Sequence, residues 1–172
     1  MLDLDAESIY AALLRRVREH IAGRQPLLVG VHTGGVWLAE RLRTELPVAA
    51  EVGILDVSFY RDDYTRGGLS RGVRPSRIPF AIDGADILLV DDVLNTGRTV
   101  RAAMNELFDY GRPARIELAV LIDRGGRELP ISTGLVGRTI EVPEDVSVVL
   151  SRDDDQRLHL RLEHDAERGA RA

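Results

Sequence analysis

Cysteine is absent from the 172 residues, so a disulfide framework, a thiolate metal site and a cysteine nucleophile are all excluded. Lysine is absent too: all 23 basic side chains are arginine. Codon bias in the source is the plainer explanation of such a composition, and the chemical consequence holds whatever the cause. No amine is available for a Schiff base or for a phosphate-binding P-loop, which excludes Walker-type nucleotide chemistry. Long apolar runs are also missing, and the N-terminus is acidic. Neither a signal peptide nor a transmembrane helix is therefore expected, and the reading is a cytoplasmic protein with no membrane partner. Positive charge is scarce relative to negative, giving a net charge of −5. The molecule as a whole is no electrostatic match for nucleic acid.

What is present fits one globular domain over 1–172, with 44% hydrophobic and 30% charged residues. Ile9, Leu13, Val17 and Ile21 recur every four residues and predict an amphipathic helix that Gly23 can end. Residues 27–31 read as a buried strand, followed by the loop His32, Thr33, Gly34, Gly35 and a helix over about 36–45. A second strand is expected over 52–60. Further strands are expected over 87–90, 115–122 and 146–150, with a helix over about 99–110 that Gly111 and Pro113 terminate. Leu158, Leu160 and Leu162 alternate with polar residues, predicting a half-exposed last strand, and 165–172 reads as a frayed tail. Alternating strands and helices imply an α/β fold with a mainly parallel sheet flanked by helices. Ligands gather at the carboxyl ends of strands in such sheets. The polar, glycine-bearing loops at 32–35, 91–99 and 123–127 are therefore expected to meet at one site.

The most informative stretch runs from Leu88 to Thr99. An apolar strand leads into Asp91-Asp92, and a small hydroxyl loop, Thr96-Gly97-Arg98-Thr99, follows before a helix. Helix capping or turn formation would need only one aspartate, and neither sits directly before the helix. Two adjacent carboxylates repel unless hydroxyls, donors or a cation meet them. Ribose hydroxyls at the carboxylates and a phosphate at the loop amides and threonine hydroxyls satisfy both halves of the motif. Gly97 permits close backbone approach to such a ligand. The segment 61–77 is 17 residues long with little periodicity, and it holds five arginines against two aspartates, an excess of +3. A loop of that length in a compact domain is usually functional or disordered, and a flexible cationic lid fits its length and its charge.

With these residues in view, the chain resembles the type I phosphoribosyltransferases. Their hallmark is an apolar strand, two acidic residues, a short link and a Thr-Gly-x-Thr loop. Ser58-Phe59-Tyr60-Arg61-Asp62-Asp63, Asp91 through Arg101, Gly111-Arg112-Pro113 and Leu121 through Pro130 resemble the PyrR family more narrowly. That family joins uracil phosphoribosyltransferase activity to RNA-dependent control of pyrimidine genes. The resemblance implies that uracil and phosphoribosyl pyrophosphate give UMP and pyrophosphate, with Mg²⁺ carried by the substrate and oriented through water by Asp91 and Asp92 rather than by direct metal ligands.

The same resemblance assigns roles residue by residue. Asp91, Asp92 and Arg61 are the expected catalytic residues. His32, Thr33, Gly34 and Gly35 match the pyrophosphate loop, with His32 a pyrophosphate contact rather than an acid or base. Asn95, Thr96, Gly97, Arg98 and Thr99 match the phosphoribosyl loop, and Ile122, Asp123 and Arg124 lie where the base is placed. Arg61 and the segment to Arg77 match the lid. A homodimer or higher homo-oligomer is implied, and mRNA is the implied macromolecular partner. Three features depart from the family: His32 and Gly34 stand where some relatives carry Lys and Arg, and Asn95 stands where the motif is often aromatic. From Glu141 onward, nine acidic residues face five arginines, a net of −4 that opposes RNA binding. Two rivals follow: an RNA-binding regulator with weak catalysis, and a phosphoribosyltransferase for a purine or orotate.

Overall fold

A computed structural model of the chain describes residues 4–57 and 75–164. Arg61, most of the expected lid, the Ser58–Asp63 motif and the tail at 165–172 lie outside the described residues. The elements in chain order are α1 (Ala6–His20), β1 (Leu27–Val31), α2 (Gly34–Glu45), β2 (Gly53–Leu55), β3 (Asp86–Leu94), α3 (Arg98–Tyr110), β4 (Arg115–Asp123), β5 (Leu135–Thr139), β6 (Val146–Arg152) and β7 (Leu158–His164). No described helix is long and apolar enough to cross a membrane.

Five strands form a wholly parallel sheet in the order β2-β1-β3-β4-β5, while β6 and β7 pair antiparallel as a separate hairpin. The pleat sends alternate side chains to opposite faces. Leu88 and Val90 of β3 join α1, α2 and the hairpin in one core cluster, and Ile87 and Leu89 join α3 in another. On α1, Ile9, Leu13 and Val17 are all buried, as their spacing predicts, and Asp5 caps the helix by accepting from the Glu7 N–H at 3.2 Å. The hairpin docks through Val148, Leu150 and Leu158, all buried in the α1–α2 cluster.

Three elements differ from the sequence-based expectation. Of the strand expected over 52–60, Gly53–Leu55 is strand, residues 58–60 lie outside the described residues, and on the other edge Ile54 bridges Arg77 antiparallel while the Asp56 N–H donates to Ser76 Oγ at 2.9 Å. β5 was not expected. Gly137 interrupts its short apolar run, because a Cβ there would lie 2.6 Å from the Leu121 carbonyl oxygen and 2.9 Å from that of Ile9. Close backbone approach, rather than side-chain patterning, marks that strand. Finally, β3 continues past Val90 to Leu94, so both aspartates lie within the strand rather than after it.

Candidate active site

The connectivity itself creates a crevice. From β1 the chain passes through α2 to β2 on one side of the sheet order, and from β3 it passes through α3 to β4 on the other. The carboxyl ends of β1 and β3 are thus a topological switch point, where the loops diverge. β1 stops pairing at Gly30↔Val90, whereas β3 continues against β4 through Asp91↔Val120, Val93↔Ile122 and Leu94↔Asp123. The two aspartates therefore stand where one neighbouring strand has ended and the other has not.

Asp91 is 1% exposed, the one charged residue fully buried among the described residues. Its carboxylate accepts the Asp92 N–H at 2.9 Å, and Asp92 Oδ1 accepts the Val93 N–H at 2.9 Å. Burial of a carboxylate is costly unless donors meet it. These local bonds hold both carboxylates at the strand end without filling all of their acceptor positions, since an ionised carboxylate has about four. Gly34 opens α2 directly against them: a Cβ there would lie 2.7 Å from Asp92 Cγ and closer still to its Oδ2. The preceding His32–Thr33 peptide is cis.

Across the crevice, Gly97 caps α3 in the left-handed region at φ 93°, a conformation that favours glycine. The Arg98 N–H turns onto Thr96 Oγ1 at 3.2 Å. The first-turn amides of α3 have no acceptor within the helix, and no acidic side chain occupies that turn. The positive end of a 13-residue helix and a glycine-bordered loop with two threonine hydroxyls make an anion-binding geometry.

Thr33, Gly34, Asp91, Asp92, Asn95, Thr96, Gly97, Arg98, Thr99 and Arg124 line one cleft of about 390 Å³. All three loops expected to converge contribute to it. Arg124 donates from a terminal nitrogen to the Pro143 carbonyl at 3.0 Å, and its Nε is buried without a hydrogen-bond partner among the described residues. Four of the residues expected at the site do not line the cleft. Gly35 packs beneath it, where a Cβ would meet Asp91 Cα at 3.0 Å. The His32 N–H donates to the Leu55 carbonyl at 2.8 Å. Ile122 is fully buried in the core, and Asp123 accepts the Gly125 N–H at 2.9 Å and pairs with Arg127.

One whole wall was missed from sequence. Ser147, Val148, Val149 and Leu150 of β6 line the cleft, as does Trp37 of α2. Trp37 is capped by the Arg152 guanidinium at 4.9 Å from the ring centroid, and Arg152 also pairs with Glu40 at 3.8 Å, so the hairpin is latched to α2. The sequence carried a signal for β6 as a strand but none for its docking beside β3. Among the described residues, no group of three or more His, Cys, Asp or Glu is placed to hold a metal ion.

Comparison with known proteins agrees with this geometry. The family model for the phosphoribosyl transferase domain matches residues 4–155. The chain is 55% identical over 137 residues to the bifunctional protein PyrR of Pseudomonas aeruginosa strain LESB58, covering 78% of this chain and 81% of that one. It is 44% identical over 158 residues to the bifunctional protein PyrR of Nitrosococcus oceani, covering 89% of each. Among solved structures, a hypoxanthine-guanine phosphoribosyltransferase of Bacillus anthracis superposes with a TM-score of 0.62 at 16% identity, covering 82% of both chains, a likeness of fold. A parallel sheet that opens at two aspartates beside the N-terminus of α3, together with identity of this depth, places the chain in the PyrR family of phosphoribosyl transferase domain proteins.

Proposed function

We propose that the protein, acting as a single domain over 1–172, converts uracil and phosphoribosyl pyrophosphate into UMP and pyrophosphate. The observation that carries this reading is one cleft holding both halves of a sugar-phosphate site: Asp91 and Asp92 on one side, the Thr96–Thr99 loop at the α3 N-terminus on the other. In this reading the loop amides and threonine hydroxyls hold the 5-phosphate, and the two carboxylates hold the ribose hydroxyls. The amides around Gly34 face the pyrophosphate. The buried Arg124 Nε supplies a donor where the base is expected. Relatives named bifunctional protein PyrR at 55% and 44% identity support uracil as that base.

In the reaction, uracil N1 bonds to ribose C1 as the bond from C1 to the pyrophosphate oxygen breaks, and the N1 proton is released. By analogy with glycoside hydrolysis, positive charge develops on the sugar ring. A buried Asp91 and the neighbouring Asp92 stabilise that charge and position the ring, so the chain contributes mainly orientation and electrostatics. Asp91 and Asp92 would orient, through water, a Mg²⁺ ion held chiefly by substrate oxygens, as suits an ion that prefers oxygen ligands and keeps several waters. When bound, that ion neutralises charge on the departing pyrophosphate. The family resemblance assigns Arg61 and the other arginines of the 61–77 segment to supply cationic charge for the same group.

The reading extends to regulation, because the family couples this chemistry to control of pyrimidine genes through mRNA. A cytoplasmic location and a homo-oligomeric assembly belong to the same reading. The excess of acidic residues after Glu141 argues that any RNA surface lies elsewhere on the chain.

The direct test is the double variant Asp91→Asn with Asp92→Asn. It should fold as the parent does and lose UMP formation by at least about 10³-fold, the scale of losing positioned transition-state charge. Near-parental turnover in a folded double variant contradicts the assignment.

A further inference from the structure

Arg127 does not line the cleft, yet its guanidinium bonds to several segments around the phosphoribosyl loop. It follows the strand β4 through Gly125 and Gly126, both left-handed at φ 73° and 71°, which fold the chain back beside the phosphoribosyl loop. There its guanidinium donates to the Asn95 carbonyl at 2.7 Å, the Ile131 carbonyl at 2.9 Å and the Gly125 carbonyl at 3.3 Å, and it pairs with Asp123. One side chain thereby ties the end of β4, the loop after β3 and the approach to β5. A guanidinium suits this role because its donors lie in one rigid plane.

The segment around Arg127 completes a strap over the outer side of the same loop. The Arg124 N–H donates to the Leu94 carbonyl at 3.0 Å, and the Glu128 and Leu129 N–H groups both donate to the Thr96 carbonyl at 3.0 and 3.1 Å. Glu128 also accepts from Arg98 Nε at 2.7 Å. Gly126 presses on Asn95 so closely that a Cβ would sit 2.7 Å from its Oδ1. The carbonyls of Leu94, Asn95 and Thr96 are all engaged by this strap, while residues Asn95 to Thr99 line the cleft.

We infer that Arg127 is a positioning residue: its guanidinium clamps the Leu94 and Asn95 carbonyls to the loop after β4 and so presets the phosphate-binding face of the Thr96–Thr99 loop. This rests on the functional reading above. The loop's phosphate contact is remote from C1 and is made equally before and during the reaction, so loosening it removes uniform binding. The effect falls on KM for phosphoribosyl pyrophosphate, while kcat is kept.

Arg127→Lys retains the charge opposite Asp123 but cannot span the separate carbonyls. Steady-state kinetics with uracil should show a KM for phosphoribosyl pyrophosphate raised about tenfold, within the range expected for sub-ångström to 1 Å misplacement of a binding group, with kcat within about twofold of the parent. A parental KM, or a fall in kcat at unchanged KM, overturns the inference. If Arg127→Lys does not fold, Gly126→Ala decides: it pushes on Asn95 from the same strap and must raise the same KM, and a parental KM there overturns the inference instead. A parent protein that makes no UMP overturns the functional reading and this inference together, whereas an active parent with an unaffected variant overturns the inference alone.

Discussion

Gly34 and Asp92 meet so closely that the first residue of α2 and the second carboxylate of β3 cannot be varied independently. A methyl at position 34 would have to displace the Asp92 carboxylate, because the helix backbone behind it is fixed by Gly35 against Val90 and Asp91. Gly34→Ala is therefore expected to reduce kcat/KM for phosphoribosyl pyrophosphate by about 10²-fold, the penalty for roughly 1 Å of misplacement, while the unfolding midpoint shifts little. Unchanged kinetics would show that Asp92 has room to move and that its position is not critical. At this scale the sequence was informative about residue type and less so about direction. Asp91 and Asp92 were legible as a pair, but the burial of Asp91 at 1% exposure was not. Gly35, Ile122 and Asp123 are expected at the site from the family resemblance of residues 32–35 and 122–124. Pleat and packing turn Ile122 into the core, hold Gly35 beneath the cleft and engage Asp123 with Arg127.

Elements were legible wherever one face of a segment is apolar at a regular period. β1 and α3 agree with their expected spans to within about one residue, and α1 buries Ile9, Leu13 and Val17 as their spacing predicts. β5 was invisible because its defining contact involves a residue without a side chain. Gly137 lets α1 approach the sheet, and its role is steric absence rather than hydrophobic presence. Gly137→Ala should therefore lower stability by about 1–3 kcal/mol through overpacking against the Leu121 and Ile9 carbonyls. Thermal unfolding measures this, and KM in the surviving folded protein should remain parental. An unaltered midpoint would mean that α1 rides off the sheet without cost. The hairpin teaches the same lesson. Period-two patterning showed β7, and a short apolar run showed β6, but nothing in either predicted that Ser147 to Leu150 would wall the cleft. Docking of that kind depends on Val148, Leu150 and Leu158 finding the α1–α2 cluster, a long-range fact that local pattern does not encode.

At the scale of the whole molecule, two ion-paired carboxylates connect distant parts of the chain. Glu7 of α1 is held below the ordinary carboxylate range chiefly by its bonds from Arg41 of α2, at 2.7 and 2.9 Å, and it also accepts the Leu158 N–H of β7 at 2.9 Å. For Glu117 of β4, burial pushes the carboxyl upward, but the bonds from Arg24 and His20 outweigh it and leave the group lowered. A depressed folded-state value means that the unfolded chain binds the proton more tightly. Both groups thus stabilise the fold fully above the ordinary value of 4.5, and that contribution disappears as pH falls through the lower folded values. Chemical denaturation between pH 7 and pH 3 should show stability falling below about pH 4.5, and Glu117→Gln should flatten that fall. The same pH slope in the variant and the parent would remove Glu117 from the account.

The central claim is chemical: the cleft at Asp91 and Asp92 joins uracil, rather than another base, to phosphoribosyl pyrophosphate. The comparison with a purine phosphoribosyltransferase at 16% identity shows that this fold alone does not choose the base. A panel of uracil, orotate, hypoxanthine and guanine, each incubated with phosphoribosyl pyrophosphate and Mg²⁺ and followed by nucleotide formation and pyrophosphate release, measures the choice directly. The account predicts UMP from uracil and turnover of the other bases lower by at least about 10²-fold, the discrimination available from matched hydrogen bonds in a buried site. Preferential turnover of a purine or of orotate, or no UMP at all, would contradict it.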